Sequence, residues 1–144
     1  MKVRTVLATK GTNVITIGPK QSVMEAVKTL ASHRIGAVVV VDAAGVPVGI
    51  VSERDVVRRA AVDEHVLTRR VEEIMTKELV TGVPQDDLHS VAHIMTERRF
   101  RHLPIVEGSE LVGIVSIGDV LKAERDRYRG EIDTLETQLM AEYA

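Results

Sequence analysis

The sequence has no cysteine and no tryptophan, and only one phenylalanine and two tyrosines among its 144 residues. Without cysteine, disulfide frameworks, zinc ribbons, iron–sulfur clusters and thiol catalysis are excluded. With almost no aromatic side chains to stack on bases, single-stranded nucleic-acid binding is not expected. Neither sign of charge dominates: 19 basic residues stand against 21 acidic ones, a net of −2, so no broad nucleic-acid surface is implied. No apolar run approaches the ~20 residues that cross a bilayer. The opening MKVRTVLATK lacks the apolar core of a signal peptide. A cytoplasmic protein without a membrane span is expected.

What is abundant is valine, with 24 residues, in a chain that is 44% hydrophobic and 28% charged. This is the size and mix of one soluble domain or two very small ones, with a β-branched core that favours strands.

The chain repeats itself. ITIGPKQSVMEAVKTLASHRIGAVVVV from Ile15 aligns with VTGVPQDDLHSVAHIMTERRFRHLPIV from Val80 at an offset of 65. Thr16 falls on Thr81, Pro19 on Pro84, Leu30 on Met95 and Arg34 on Arg99. GIVSERDVVR from Gly49 matches GIVSIGDVLK from Gly113 at an offset of 64, the lost residue falling where the turn DAAG (Asp42 to Gly45) aligns with EGSE (Glu107 to Glu110). A short apolar lead-in precedes each copy, VRTVL at Val3 and VEEIM at Val71.

Each copy reads β-α-β-β-α. Val14–Ile17 is a short strand. Ser22 and Glu25 form a capping box that opens a helix with a Val23, Val27, Leu30 stripe, matched by Leu88, Val91 and Met95. Ala37–Val41 is a continuous apolar strand, Val46–Ser52 returns beside it, and a closing helix follows to Ala61. The two copies, residues 1–68 and 69–123, are expected to pack together, joined by a charged linker at 62–70. A charged helical tail at 124–144 carries Tyr128, Ile132, Leu135 and Leu139 at heptad spacing, with Arg125 intruding. It either lies back on its own domain or mediates dimerisation or partner docking.

The strongest chemical signal is Gly49-Ile-Val-Ser52-Glu-Arg-Asp55 and its echo Gly113-Ile-Val-Ser116-Ile-Gly-Asp119. Each sets a serine and an aspartate at a strand-to-helix junction. Free N–H groups and the hydroxyl suit a phosphate, and the carboxylate suits the two hydroxyls of a ribose. A cation must accompany that carboxylate, and Arg54, Arg58, Arg101 and His102 are candidates. The same Ser-x-x-Asp is also a plain capping box, and spacing alone does not choose.

The repeated units with G-h-x-S-x-x-D ends, the RIGAVVVV and RHLPIV segments, and the IMT lead-in at Ile74 together resemble a tandem CBS-domain protein, the arrangement called a Bateman module. The resemblance covers about Val3 to Lys122. It implies an α/β fold of two units packed about a pseudo-twofold axis, and regulation rather than catalysis. It also implies two clefts that take adenosyl ligands such as AMP, ADP, ATP, NAD(H) or S-adenosylmethionine, and signalling to a separate effector protein. Carried over, one cleft pairs Ser52 and Asp55 with Thr81, Arg101, His102, Leu103 and Pro104; the other pairs Ser116 and Asp119 with Thr16, Ile35, Gly36 and Ala37. The Asp119 cleft has Gly118 where its twin has Arg54, and Gly36-Ala37 where its twin has Arg101-His102, so fewer cations and weaker phosphate binding are expected there.

Other features carry less. His89 and His93 have helical spacing for a shared metal but no third ligand. Arg58, Arg59, Arg69, Arg70, Arg98 and Arg99 read as solvated faces balanced by nearby acids. No catalytic triad, carboxylate pair or phosphate-cradling glycine loop stands out. The protein is therefore expected to be a non-enzymatic homodimer that binds an adenine nucleotide, or else a ligand-independent dimerisation module.

Overall fold

Ala37–Val41 forms strand β2, buried along all but its last residue, as a β-branched run covered on both faces should be. The computed structural model in which this is seen describes residues 1–11 and 13–143. β2 runs antiparallel to β3 (Pro47–Ser52) and parallel to β1 (Thr16–Ile17). β1 is shorter than the expected Val14–Ile17 run because only Thr16 and Ile17 find partners, at Val39 and Val40. In the second copy β4 (His102–Glu107) pairs with β5 (Glu110–Ser116), and the first strand shrinks to a single bridge from Gly82 to Ile105. A Cβ at Gly82 would crowd the side-chain ends of Asp86, Leu103 and Ile105, which would have to shift to admit it.

Helix α2 (Val23–His33) buries Val23, Ala26 and Leu30, so the stripe lies on Ala26 rather than Val27. Its capping box is half made. Ser22 Oγ accepts the Glu25 N–H, but the Glu25 carboxylate accepts Gln21 Nε2 instead of returning to Ser22. Helix α5 (Leu88–Arg98), capped by Asp87, buries Leu88, Val91 and Met95 as expected. Both helices end on an arginine in the left-handed region, Arg34 at φ 53° and Arg99 at φ 56°.

The lead-ins cross between the copies. Helix α1 (Val3–Lys10) puts Val3 and Leu7 into the core of the second copy, with Leu88, Val91, Ile105 and Val115. After helix α3 (Glu53–Ala60), the short α4 (Val71–Ile74) puts Val71 into the core of the first copy, with Ile17, Leu30 and Val51. The backbone repeats the exchange: Val3 and Arg4 N–H donate to Asp86 and Pro84, and Val71 and Glu72 N–H donate to Gln21 and Pro19. Each copy lends its first element to the other, so the two units form one body with pseudo-twofold symmetry.

The segment at 62–70 is more than a charged linker. It contains a 3-10 turn at Val66–Thr68 with Val66 buried, held by Asp63, which accepts Arg69 Nε at 2.9 Å. The closing helix of the second unit and the tail are one 27-residue helix, α6 (Ile117–Tyr143). Val120 anchors it in the core, but Tyr128, Ile132, Leu135 and Leu139 are each more than half exposed. The tail does not lie back on its own domain. Among the described residues no helix is long and apolar enough to cross a membrane.

Candidate functional site

Strand β3 ends at Ser52, where the chain turns into α3, and β5 ends at Ser116, where it turns into α6. At both junctions the aspartate three residues on folds back over the helix start. The Ser52 N–H and Oγ donate to Asp55 Oδ2 at 2.8 and 3.1 Å, and Ser52 Oγ accepts the Asp55 N–H. This is a complete capping box. It engages one carboxylate oxygen; Oδ1 takes no protein hydrogen bond among the described residues. The cap and a ligand role are therefore compatible at Asp55.

Asp55 opens into a cleft of about 870 Å³ between the two units. On one side lie Gly36, Ser52, Arg54 and Arg58; facing them are Arg98, Arg99, Arg101, His102 and Ser116. Thr76, Glu78, Leu79 and Val80, which follow α4, form part of its wall. Five arginines around one cleft are an anion-attracting surface. The units approach closely at Gly36, where a Cβ would sit 3.3 Å from His102 Nε2 and the imidazole would have to yield slightly. Burial, followed by the nearby Lys10 charge, pushes the His102 imidazole below its ordinary pKa.

The second junction differs. The Ser116 N–H donates to Asp119 Oδ2 at 2.8 Å, and Lys10 Nζ donates to the same oxygen at 2.7 Å. Burial raises the Asp119 carboxyl, but the Lys10 and Ser116 hydrogen bonds outweigh it and hold it below the usual carboxylate range. The cleft expected to be short of cations thus has a lysine on its aspartate, with His102 close enough to feel both charges.

Of the remaining candidate residues, Leu103 and Pro104 are buried, Leu103 in the second core, and Thr81 is exposed; none of the three lines the Asp55 cleft. Ala37 is buried in β2, and Ile35 packs on the first core. Thr16 lines a separate cavity of about 720 Å³ with Asn13, Ala44, Gly45 and Leu111, whose lining does not include Asp119. Sequence reasoning missed Arg98 and Arg99, which read as solvated faces, and Lys10. The signal for Lys10 was in the alignment: Val3 matches Val71 at an offset of 68, three more than the copies that follow. His89 and His93 face Glu124 and Glu97 instead of sharing a site, and no metal-ligand cluster occurs among the described residues.

The sequence model of the CBS domain matches residues 3–62 and 71–126. A CBS-domain containing protein of Agrobacterium tumefaciens superposes with a TM-score of 0.84 at 45% identity, over 86% of this chain and 99% of that one. The CBS domain pair of protein MJ0100, solved with 5-methylthioadenosine and S-adenosyl-L-methionine, superposes with a TM-score of 0.79 at 28% identity, over 88% of this chain and 98% of that one. The CBS domain-containing protein YhcV of Bacillus subtilis is 37% identical over 112 residues, 78% of this chain and 79% of its own length. The crossed lead-ins, the paired serine–aspartate junctions and these matches have one conclusion: the chain belongs to the CBS-domain family, as a tandem pair.

Proposed function

We propose that the protein is a regulatory, non-catalytic module that binds an adenosyl ligand of the AMP, ADP, ATP, NAD(H) or S-adenosylmethionine type in the Asp55 cleft. The observation that carries this is the placement of Asp55. Its free carboxylate oxygen suits a ribose diol, and it stands at a helix N-terminus opposite Arg98, Arg99 and Arg101, which suit phosphate. The adenosyl ligands bound by the MJ0100 pair support the ligand class. Because the cleft walls come from both units, a bound ligand bridges them and favours one relative arrangement. A few kcal/mol of differential affinity suffices to shift that equilibrium and report it to a separate effector. A melting-temperature rise with AMP, ATP, NADH or S-adenosylmethionine that disappears in Asp55→Ala is the expected result. No rise with any of the four, on folded ligand-free protein, contradicts the proposal.

The exposed α6 stripe favours a homodimer as part of the same reading. Laid antiparallel on a second copy, α6 sets Ile132 against Leu135, Tyr128 against Leu139, and Arg125 against Glu142, with Arg129 beside Glu136. A parallel pairing stacks Arg125 on Arg125 and places Glu131 beside Glu136. Charge selects the antiparallel dimer. The same stripe is what favours the second reading, a ligand-independent dimerisation module in which both serine–aspartate pairs act only as caps.

A further inference from the structure

The two serine–aspartate junctions are built on one plan, and a single helical turn breaks the equivalence. In the first unit α4 stops at Ile74; Thr76 then exchanges hydrogen bonds with Ile50, its N–H donating to the Ile50 carbonyl at 2.9 Å. The equivalent helix α1 keeps the same docking geometry: Leu7 lies over Gly113 as Met75 lies over Gly49. It then runs on to Lys10 before Gly11 ends it at φ 96°. Ala8, the equivalent of Thr76, is still helical and cannot bridge to β5. The Ile114 carbonyl, twin of Ile50, receives Lys10 Nζ instead, at 3.0 Å.

The ammonium thus replaces a backbone donor on one side and reaches Asp119 on the other, at 2.7 Å. In the Asp55 cleft the corresponding oxygen is met by the Ser52 hydroxyl, a neutral group that can rotate away from an incoming ligand. In the Asp119 cleft it is met by a charge fixed by two acceptors. Charge-assisted hydrogen bonds are roughly twice as strong as neutral ones. Asp119 Oδ1, like Asp55 Oδ1, takes no protein hydrogen bond among the described residues, but a ribose diol that needs both oxygens must displace the Lys10 ammonium from Oδ2, whereas at Asp55 only the Ser52 hydroxyl has to turn away.

We propose that Lys10 is the residue that decides the specificity of the Asp119 cleft, shutting it to ribose so that each chain binds one nucleoside ligand, at Asp55. The ligand half of this proposal rests on the nucleoside-binding reading above, whereas the Lys10–Asp119 contact does not. The test therefore has two readouts on the full chain.

The first is ligand-free: the carboxyl carbon of Asp119 is titrated by NMR in wild type and in Lys10→Met. The proposal expects the midpoint below the ordinary carboxylate range in wild type and higher in Lys10→Met. The charged groups around it are Lys10 and His102, and His102 is followed in the same spectra to separate its effect. Equal midpoints overturn the proposal whatever nucleosides do. The second uses adenosine, which carries ribose without phosphate. Asp55→Ala, with only the Asp119 cleft intact, is expected to show no saturable binding. Asp55→Ala with Lys10→Met is expected to gain saturable adenosine binding over the same concentration range. Binding by Asp55→Ala that Lys10→Met does not strengthen, in a protein that Asp119→Ala silences, overturns the proposal. Adenosine silent toward every variant, wild type included, overturns both the sensor reading and the ligand half of this one.

Discussion

A carboxylate held in place by its neighbours reports on them when it is titrated, and Asp63, Asp87 and Asp119 do so. The Asp63 carboxyl is pulled from 3.8 to about 2, first by the hydrogen bond from Arg69 and then by the His65 N–H and Arg59, against some opposition from burial. A carboxyl with a lowered folded-state pKa stabilises the fold fully above its unfolded value, and loses that contribution as pH falls through the folded one. The turn at Val66 is therefore expected to loosen between about pH 4 and pH 2 in wild type. In Asp63→Asn it is expected to be equally loose across that range. Hydrogen exchange at the Val66 and Thr68 amides checks this, and unchanged protection in Asp63→Asn would refute it.

At the scale of the element, the two helix ends at Arg34 and Arg99 are the informative pair. A left-handed backbone at a residue with a Cβ costs about 1 kcal/mol, which glycine would avoid. Both positions hold arginine, and only Arg99 lines the Asp55 cleft. Arg34→Gly and Arg99→Gly are each expected to raise unfolding stability by up to about 1 kcal/mol. Only Arg99→Gly is expected also to weaken AMP binding. Denaturant unfolding paired with titration calorimetry separates the two effects. Unchanged AMP affinity in Arg99→Gly would remove Arg99 from the site.

The elements also show what could be read from the chain and what could not. β2 was legible because Ala37–Val41 is apolar without interruption, and the start of α3 because Ser52 and Asp55 satisfy its first N–H groups locally. The exchange of α1 and α4 was not, since Val3 and Val71 are apolar whichever unit they enter. The length of β1 and the bridge at Gly82 depend on partners distant in sequence, and the stripe of α2 shifted because Ala26, not Val27, faces the sheet. The Asp55 cleft was partly legible: Arg54, Arg58, Arg101 and His102 line it as proposed from spacing. Arg98 and Arg99 are exposed, as a solvated face should be, and were missed as cleft residues because only the packing of α5 sets them at its edge. Lys10 was missed because one extra helical turn, not a motif, brings it to Asp119.

For the whole molecule, the proposed function joins a ligand cleft formed by both units to a protruding helix with an exposed apolar stripe. The proposed antiparallel pairing of that helix makes a charge-reversal prediction. Arg125→Glu is expected to shift the chain toward monomer in sedimentation equilibrium, by putting like charges opposite each other at Glu142. Adding Glu142→Arg is expected to restore the dimer. Monomeric wild type, or a double variant no better than the single, contradicts that arrangement. The central claim is nucleotide binding at Asp55. Calorimetric titration of AMP into wild type, Asp55→Ala and Asp119→Ala tests it most directly. One site per chain is expected at roughly micromolar affinity, weakened about 100-fold in Asp55→Ala by loss of charge-assisted bonds to the ribose, and nearly unchanged in Asp119→Ala. Wild-type affinity retained in Asp55→Ala would contradict it.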